Sequence, residues 1–264
     1  MTARTDAVNT LSALTLDEVN QMAALQTRVD RKYVVAPHTW QAVLASLDPA
    51  PGVLEIDGLR SFHYSSTYYD TPELDSYRDA ARRRPRRFKV RTRHYLDTGA
   101  CAIEVKLRSL SGTTSKSRRW LNVDAGVRSG SLPGEAAAFV GGFALIGDKV
   151  HELTEVLTTS YERVTLVTPD ARVTVDRDVA AADANGRHMD YGDLLVVETK
   201  SPGQAGAVDR ALWANGTRPA RISKYCTSLA ALRPELPANR WSRTLRRHVS
   251  TPAVPCTAAS KGLT

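Results

Sequence analysis

Three cysteines, Cys101, Cys226 and Cys256, lie far apart with no C-x-x-C pair. An odd count at such spacing argues against a disulfide framework and offers zinc no ligand pair, so a reducing cytoplasm is the expected setting. No stretch approaches the roughly 18 consecutive apolar residues that a spanning helix needs. The N-terminal MTARTDAVNTLSAL has no continuous apolar segment and does not read as a signal peptide. There is no internal repeat and no long linker. Aromatic residues make up only 6% of the chain, and Trp40, Trp120, Trp213 and Trp241 read as packing anchors rather than base-stacking platforms. His63 and His94 fall in candidate strands without a second His or Cys at ligand spacing, which marks them as structural or surface residues.

What is present is an ordinary folded composition with an uneven charge. The 264 residues are 42% hydrophobic and 24% charged, with a formal net charge of +8. The segment from Arg78 to Arg119 holds 14 basic and three acidic residues, so the rest of the chain, with 22 basic and 25 acidic, is slightly negative. One 42-residue stretch therefore carries the whole excess and reads as a place for something anionic. Residues 1–24 read as a flexible or helical extension, 25–235 as one domain, and 236–264 as a basic, disordered tail.

Alternating and β-branched segments separated by turn residues predict eight strands: Arg28 to Val35, Arg60 to Tyr69, Arg86 to Leu96, Ala102 to Leu110, Ser117 to Val123, Thr158 to Thr168, Ala171 to Arg177 and Tyr191 to Lys200. The Pro169-Asp170 corner predicts a hairpin. Helices are expected at Pro37 to Leu47, Pro72 to Arg83, Pro133 to Leu145, His151 to Leu157, Gly203 to Trp213 and Ser223 to Leu232. Consecutive strands without intervening helices exclude a doubly wound sheet. The fold class is α+β, an antiparallel sheet or barrel with added helices.

Residues two apart on a strand share a face. Arg28, Asp30 and Lys32 therefore lie together, as do Lys89, Arg91 and Arg93, then Glu104, Lys106 and Arg108, and finally Glu198 and Lys200. For any single strand, a solvated charged face over an apolar core explains this pattern. Four strands sharing it admit a second arrangement: a barrel covered outside by helices, with its lumen lined by cations and a few carboxylates. Such a lumen repels itself unless filled, which points to a polyanion such as a phosphate chain. The carboxylates would then hold a divalent metal against phosphate oxygens. The Arg82–Arg87 run fits a phosphate entrance and a solvated cluster equally well.

Nine short motifs carry a resemblance: Arg28-Val-Asp-Arg-Lys-Tyr33, Tyr68-Tyr-Asp-Thr-Pro72, Val90-Arg-Thr-Arg93, Ile103-Glu-Val-Lys106, Ser115-Lys-Ser-Arg-Arg119, Tyr161-Glu-Arg163, Asp170-Ala-Arg-Val-Thr-Val-Asp176, Val197-Glu-Thr-Lys200 and Ile222-Ser-Lys-Tyr225. In this order, over residues 25–232, the chain resembles the VTC domain, the polyphosphate polymerase domain of the triphosphate tunnel metalloenzymes, whose relatives include CYTH-type phosphatases. The resemblance implies an eight-stranded antiparallel tunnel that transfers the γ-phosphate of ATP to a growing polyphosphate chain with Mn²⁺ or Mg²⁺. Carried over by position, it implies catalytic roles for Lys32, Arg91, Arg93, Lys106 and Lys224. It implies phosphate binding by Lys116, Arg163, Arg172 and Lys200, and metal binding by Glu198 and Glu104. Asp176 is a further candidate carboxylate.

The chain departs from the wider superfamily's opening Glu-x-Glu-x-Lys, which here reads Arg28, Asp30 and Lys32. That departure argues against the phosphatase branch and leaves metal binding to lean on Glu198. Eukaryotic assemblies of the family add a membrane span and a phosphate-sensing domain, and neither is read here. The alternatives are a triphosphatase of the same fold and a non-catalytic polyphosphate- or nucleic-acid-binding module. A nucleic-acid face is disfavoured because it has little use for Glu104 beside Lys106.

Overall fold

A computed structural model describes residues 6–22, 29–122 and 130–249. Arg28 and Val123, expected as strand ends, lie outside the described residues, as do residues 1–5, 23 and 24 of the extension and residues 250–264 of the tail. Eleven strands follow in chain order: β1 Ala13–Leu14, β2 Val29–Val35, β3 Gly52–Leu54, β4 Ser61–Asp70, β5 Arg87–Tyr95, β6 Ala100–Arg108, β7 Thr114–Leu121, β8 Thr154–Thr168, β9 Ala171–Asp183, β10 His188–Asp190 and β11 Leu195–Ser201.

All eleven belong to one curled sheet, whose main path runs β2-β11-β9-β8-β4-β5-β6-β7 and is antiparallel throughout, with β3 and β10 pairing onto β8 and β9 and β1 onto β3. Among the described residues β2 and β7 are not hydrogen-bonded to each other, so the expected barrel is realised as a curled, half-barrel sheet. The expected hairpin is present, with Thr168 opposite Ala171 across Pro169-Asp170. Asp170 serves it twice: Oδ1 accepts from the Thr168 hydroxyl at 2.9 Å, and Oδ2 accepts from the Ala207 amide at 2.8 Å, at the start of the next helix.

Alternation sends one set of side chains outward under helices. Tyr33, Val35, Val173, Val175 and Val197 bury against Trp40 and Val43 of helix Pro37–Ala45 and Val208 and Leu212 of helix Ala207–Ala214. Phe88, Val90, Ile103 and Val105 bury against Ala136 and Val140 of helix Gly134–Gly141. Ile103 is fully buried, and truncating such a side chain to alanine costs about 2–5 kcal/mol. Helix Lys224–Leu232 packs Tyr225 and Leu229 among Tyr68, Tyr161 and Val196, which lie on the opposite, inner face.

Two expectations fail. The stretch His151 to Leu157 is not an α-helix; a 3₁₀ turn ends at Glu152 and β8 begins at Thr154. Pairing of Thr154 and Glu155 with Asp70 and Tyr69 overrides the local helical spacing. The tail beyond 236 is also not irregular throughout. Helix Ser242–His248 follows Trp241, which is 3% exposed and packs at a tilt against Tyr77, 5.5 Å between ring centroids. Burial of that one ring anchors a segment whose composition reads as disordered.

Candidate functional site

The register brings the strand-borne candidates to a single face. Lys32 pairs with Glu198, Lys200 with Arg172 and Asp176 with Arg163. Tyr161 pairs with Tyr64, Tyr68 with Arg91, Arg91 with Glu104, Lys89 with Lys106 and Lys106 with Lys116. Cross-strand partners in a sheet point the same way, so these residues all line the concave side of the curl. The eleventh candidate, Lys224, comes from the first turn of helix Lys224–Leu232, whose cap Ser223 accepts from the Cys226 amide. Its ammonium reaches Asp176 and stands 4.4 Å above the Tyr161 ring.

Three carboxylates organise the cations. Glu104, 2% exposed, accepts from Arg91 at 2.7 Å and 2.5 Å through one oxygen and meets Lys116 with the other. Asp176, 1% exposed, takes Arg163 in a two-point clasp at 2.5 Å and 2.9 Å, with Lys224 on the same carboxylate. Glu198 is different, because Lys32 at 2.8 Å and Lys200 at 3.6 Å both meet its Oε1. Burial opposes the charge on each, and the neighbouring cations win. Arg91, Arg93 and Lys116 hold Glu104 well below the usual carboxylate range. Arg163 and Lys224 bring Asp176 down to about 2, and Lys32 and Lys200 hold Glu198 far down as well.

Two lysines bear the repulsion of the lining. Lys106 opens to the channel space, but the surrounding walls limit its hydration and Lys32 and Lys89 act on it, which pushes its pKa down to about 8. That Lys32 on β2 acts on Lys106 on β6 shows how far the sheet curls. Lys116 also falls to about 8, where loss of hydration and the nearby Arg91 and Arg93 outweigh the pull of Glu104. For Lys200 the Glu198 charge favours protonation, yet burial and the adjacent Arg163 and Lys32 lower it.

The site also contains residues that sequence reasoning did not assign. Tyr161 accepts from Arg93 at 2.8 Å and lies under both Arg163 and Lys224. Tyr68 accepts from Arg91 at 3.1 Å and stacks on Tyr225, and Tyr64 lies beneath Arg93 and Arg163. Lys89 donates to Ser223 at 3.0 Å. The signal for Tyr161 and Lys89 was present, since each stands two residues from an arginine on the same face. Tyr64 and Tyr68 needed the pairing of β4 with β5 and β8.

The structure resembles a putative adenylate cyclase from Bacillus halodurans, with 12% identity, a TM-score of 0.47, and 75% of this chain and 94% of that one covered. It also resembles a putative adenylyl cyclase from Hippeastrum described as having a dominant triphosphatase activity, with 13% identity, a TM-score of 0.48, and 81% and 100% covered. A third similar structure is the PH1819 protein of Pyrococcus horikoshii, with 14% identity, a TM-score of 0.44, and 75% and 93% covered. Among curated proteins no sequence match is found. Among the described residues no helix is long and apolar enough to cross a membrane. The family model described as the VTC domain matches residues 27–233, nearly the whole span of the curled sheet and its helices, and the chain belongs to that family.

Proposed function

We propose that this protein is a polyphosphate polymerase, which transfers the γ-phosphate of ATP to the end of a polyphosphate chain lying along the concave face. The observation that carries this reading is the one-sided lining. Cations from seven strands and one helix converge on a single channel, and its three carboxylates are all ion-paired. In the reaction, an oxygen of the chain's terminal phosphate attacks the γ-phosphorus. The bond from that phosphorus to the β-phosphate oxygen breaks, and ADP leaves. The attacking oxygen is already anionic, so no proton has to be removed. A hydrolase would need a base to orient water, and Glu104, Asp176 and Glu198 are each engaged by ion-paired cations instead.

Arg91 and Arg93 offer planar forks to non-bridging oxygens, and Lys32, Lys106 and Lys224 supply point charges around the transferred group. Lys116, Arg163, Arg172 and Lys200 bind the flanking phosphates. Among the carboxylates, Glu198 suits Mn²⁺ or Mg²⁺ best. Both lysines meet Oε1, which leaves Oε2 for a cation, whereas Glu104 and Asp176 have both oxygens engaged. No cluster of three or more His, Cys, Asp or Glu exists among the described residues, so phosphate oxygens and water would complete the coordination. The chemistry such an ion supplies is neutralisation of charge on those oxygens. Glu104, expected as a second metal ligand, is better assigned to positioning Arg91 and Lys116.

Incubation of the protein with ATP and Mn²⁺ tests the proposal. Chains resolved on a gel are the expected product. Free phosphate alone would establish the triphosphatase alternative, and retained polyphosphate affinity without turnover would establish a sensor. Duplex binding that polyphosphate fails to displace would establish a nucleic-acid module.

A further inference from the structure

Arg83, Arg87, Arg108 and Arg240 line a pocket of about 360 Å³ beside the hairpin loop at Ser111 and Gly112. Arg87 and Arg108 are direct partners on β5 and β6, one step along the same face from the Lys89–Lys106 pair. Like charges directly opposite one another weaken a sheet. Two such pairs in succession therefore demand an anion, and the pocket continues the channel wall. Among the described residues, none of the four arginines forms an ion pair with a carboxylate.

The forks are held by backbone rather than by counter-charge. Arg87 donates to the Arg84 carbonyl at 2.6 Å and Arg240 to the Ala80 carbonyl at 3.1 Å, and their other N–H groups remain for a ligand. Burial and the neighbouring cations, Arg108 and Arg240 for Arg87, and Arg83, Arg221 and Arg108 for Arg240, hold both guanidiniums below their usual range. Asp79 pulls Arg87 the other way and is outweighed. Arg83 stands just past helix Asp75–Ala81 at φ 57°, a left-handed position where glycine is the default. An arginine there sacrifices backbone comfort to place a cation at the pocket.

We propose that this arginine pocket is a second binding site for polyphosphate, gripping the part of a long chain that extends beyond the channel. The proposal rests on the reading of the channel as a polyphosphate site. Its test is calorimetric titration of wild type and an Arg83→Gly, Arg240→Ala variant with tripolyphosphate and with long-chain polyphosphate. Wild type should bind the long chain more tightly. The variant should lose about tenfold in affinity for the long chain, as expected for lost charge-assisted hydrogen bonds, and keep its affinity for tripolyphosphate. Arg83→Gly alone removes one cation while restoring the favoured residue at its position, so a folded protein is available if the double variant is unstable. Equal losses for both lengths, or no loss for the long chain, overturn the pocket. Wild type that ignores both lengths overturns the channel reading along with it, whereas long-chain preference unchanged in the variants overturns the pocket alone.

Discussion

Glu104 and Glu198 share a sheet face and a charge, yet their partners give them different work. Glu104 is clamped by Arg91 and Lys116 at a carboxylate only 3% exposed, so its removal leaves Arg91 without its counter-charge in a nearly dry site, while Lys116 can turn to solvent. Breaking one side of a buried pair costs about 3–5 kcal/mol, and Glu104→Gln should lower stability by that order in denaturant unfolding. Glu198→Gln, flanked by lysines that can swing toward solvent, should unfold close to wild type while losing polymer synthesis. If both variants fall equally in stability, the division of roles is wrong. His63 gives a second residue-scale prediction. Its hydrogen bond to Asp97 at 2.9 Å raises its pKa above the ordinary value and lowers that of Asp97, to which the His63 amide also donates at 2.6 Å. The imidazolium stabilises fully below about 6.5, and the contribution is lost as pH rises through the folded value; the Asp97 side of the pair fades as pH falls below about 3.9. An NMR titration should find His63 above about 6.5, and Asp97→Asn should bring it down.

At the scale of elements, the β6–β7 hairpin sets Lys106 opposite Lys116, both at about 8. A phosphate ligand restores their charge on binding. Triphosphate affinity should therefore fall as pH climbs past about 8, with proton uptake seen in calorimetry. Stability of the ligand-free protein should move the other way, because the unfolded lysines hold protons up to about 10.4 and the folded ones do not. Lys106→Arg, which stays charged, should flatten the fall in affinity, and an affinity independent of pH would contradict it. The strands themselves were legible because charge and β-branched apolar residues alternate with period two, which fixes both faces at once. His151–Leu157 was not legible, since its fate depends on β4, some 85 residues earlier, offering an edge at Asp70 and Tyr69. The Trp241 anchor needed Tyr77, which is more remote still in sequence.

For the whole molecule, the +8 charge becomes meaningful through its direction. Of the 14 basic residues in the 78–119 segment, five line the channel wall and three the arginine pocket. All eleven sequence-derived candidates reach the concave face or its helix, because every strand keeps the same parity of charged positions through the register. Glu198 was already the carboxylate on which metal binding was expected to lean, but the closure of both Glu104 oxygens by Arg91 and Lys116 was not legible, because it depends on which cations the register brings to each oxygen. The lining aromatics were legible only in part, since a tyrosine two residues from an arginine reads equally well as core. The most direct measurement follows label from γ-phosphate-labelled ATP in the presence of Mn²⁺, in wild type, Glu198→Gln and Lys224→Ala, with folding checked by circular dichroism. The expected result is label in chains longer than triphosphate with one ADP per phosphate added in wild type, and none in either folded variant. Label released wholly as free phosphate, or chains made equally well by both variants, would contradict polymerisation at this site.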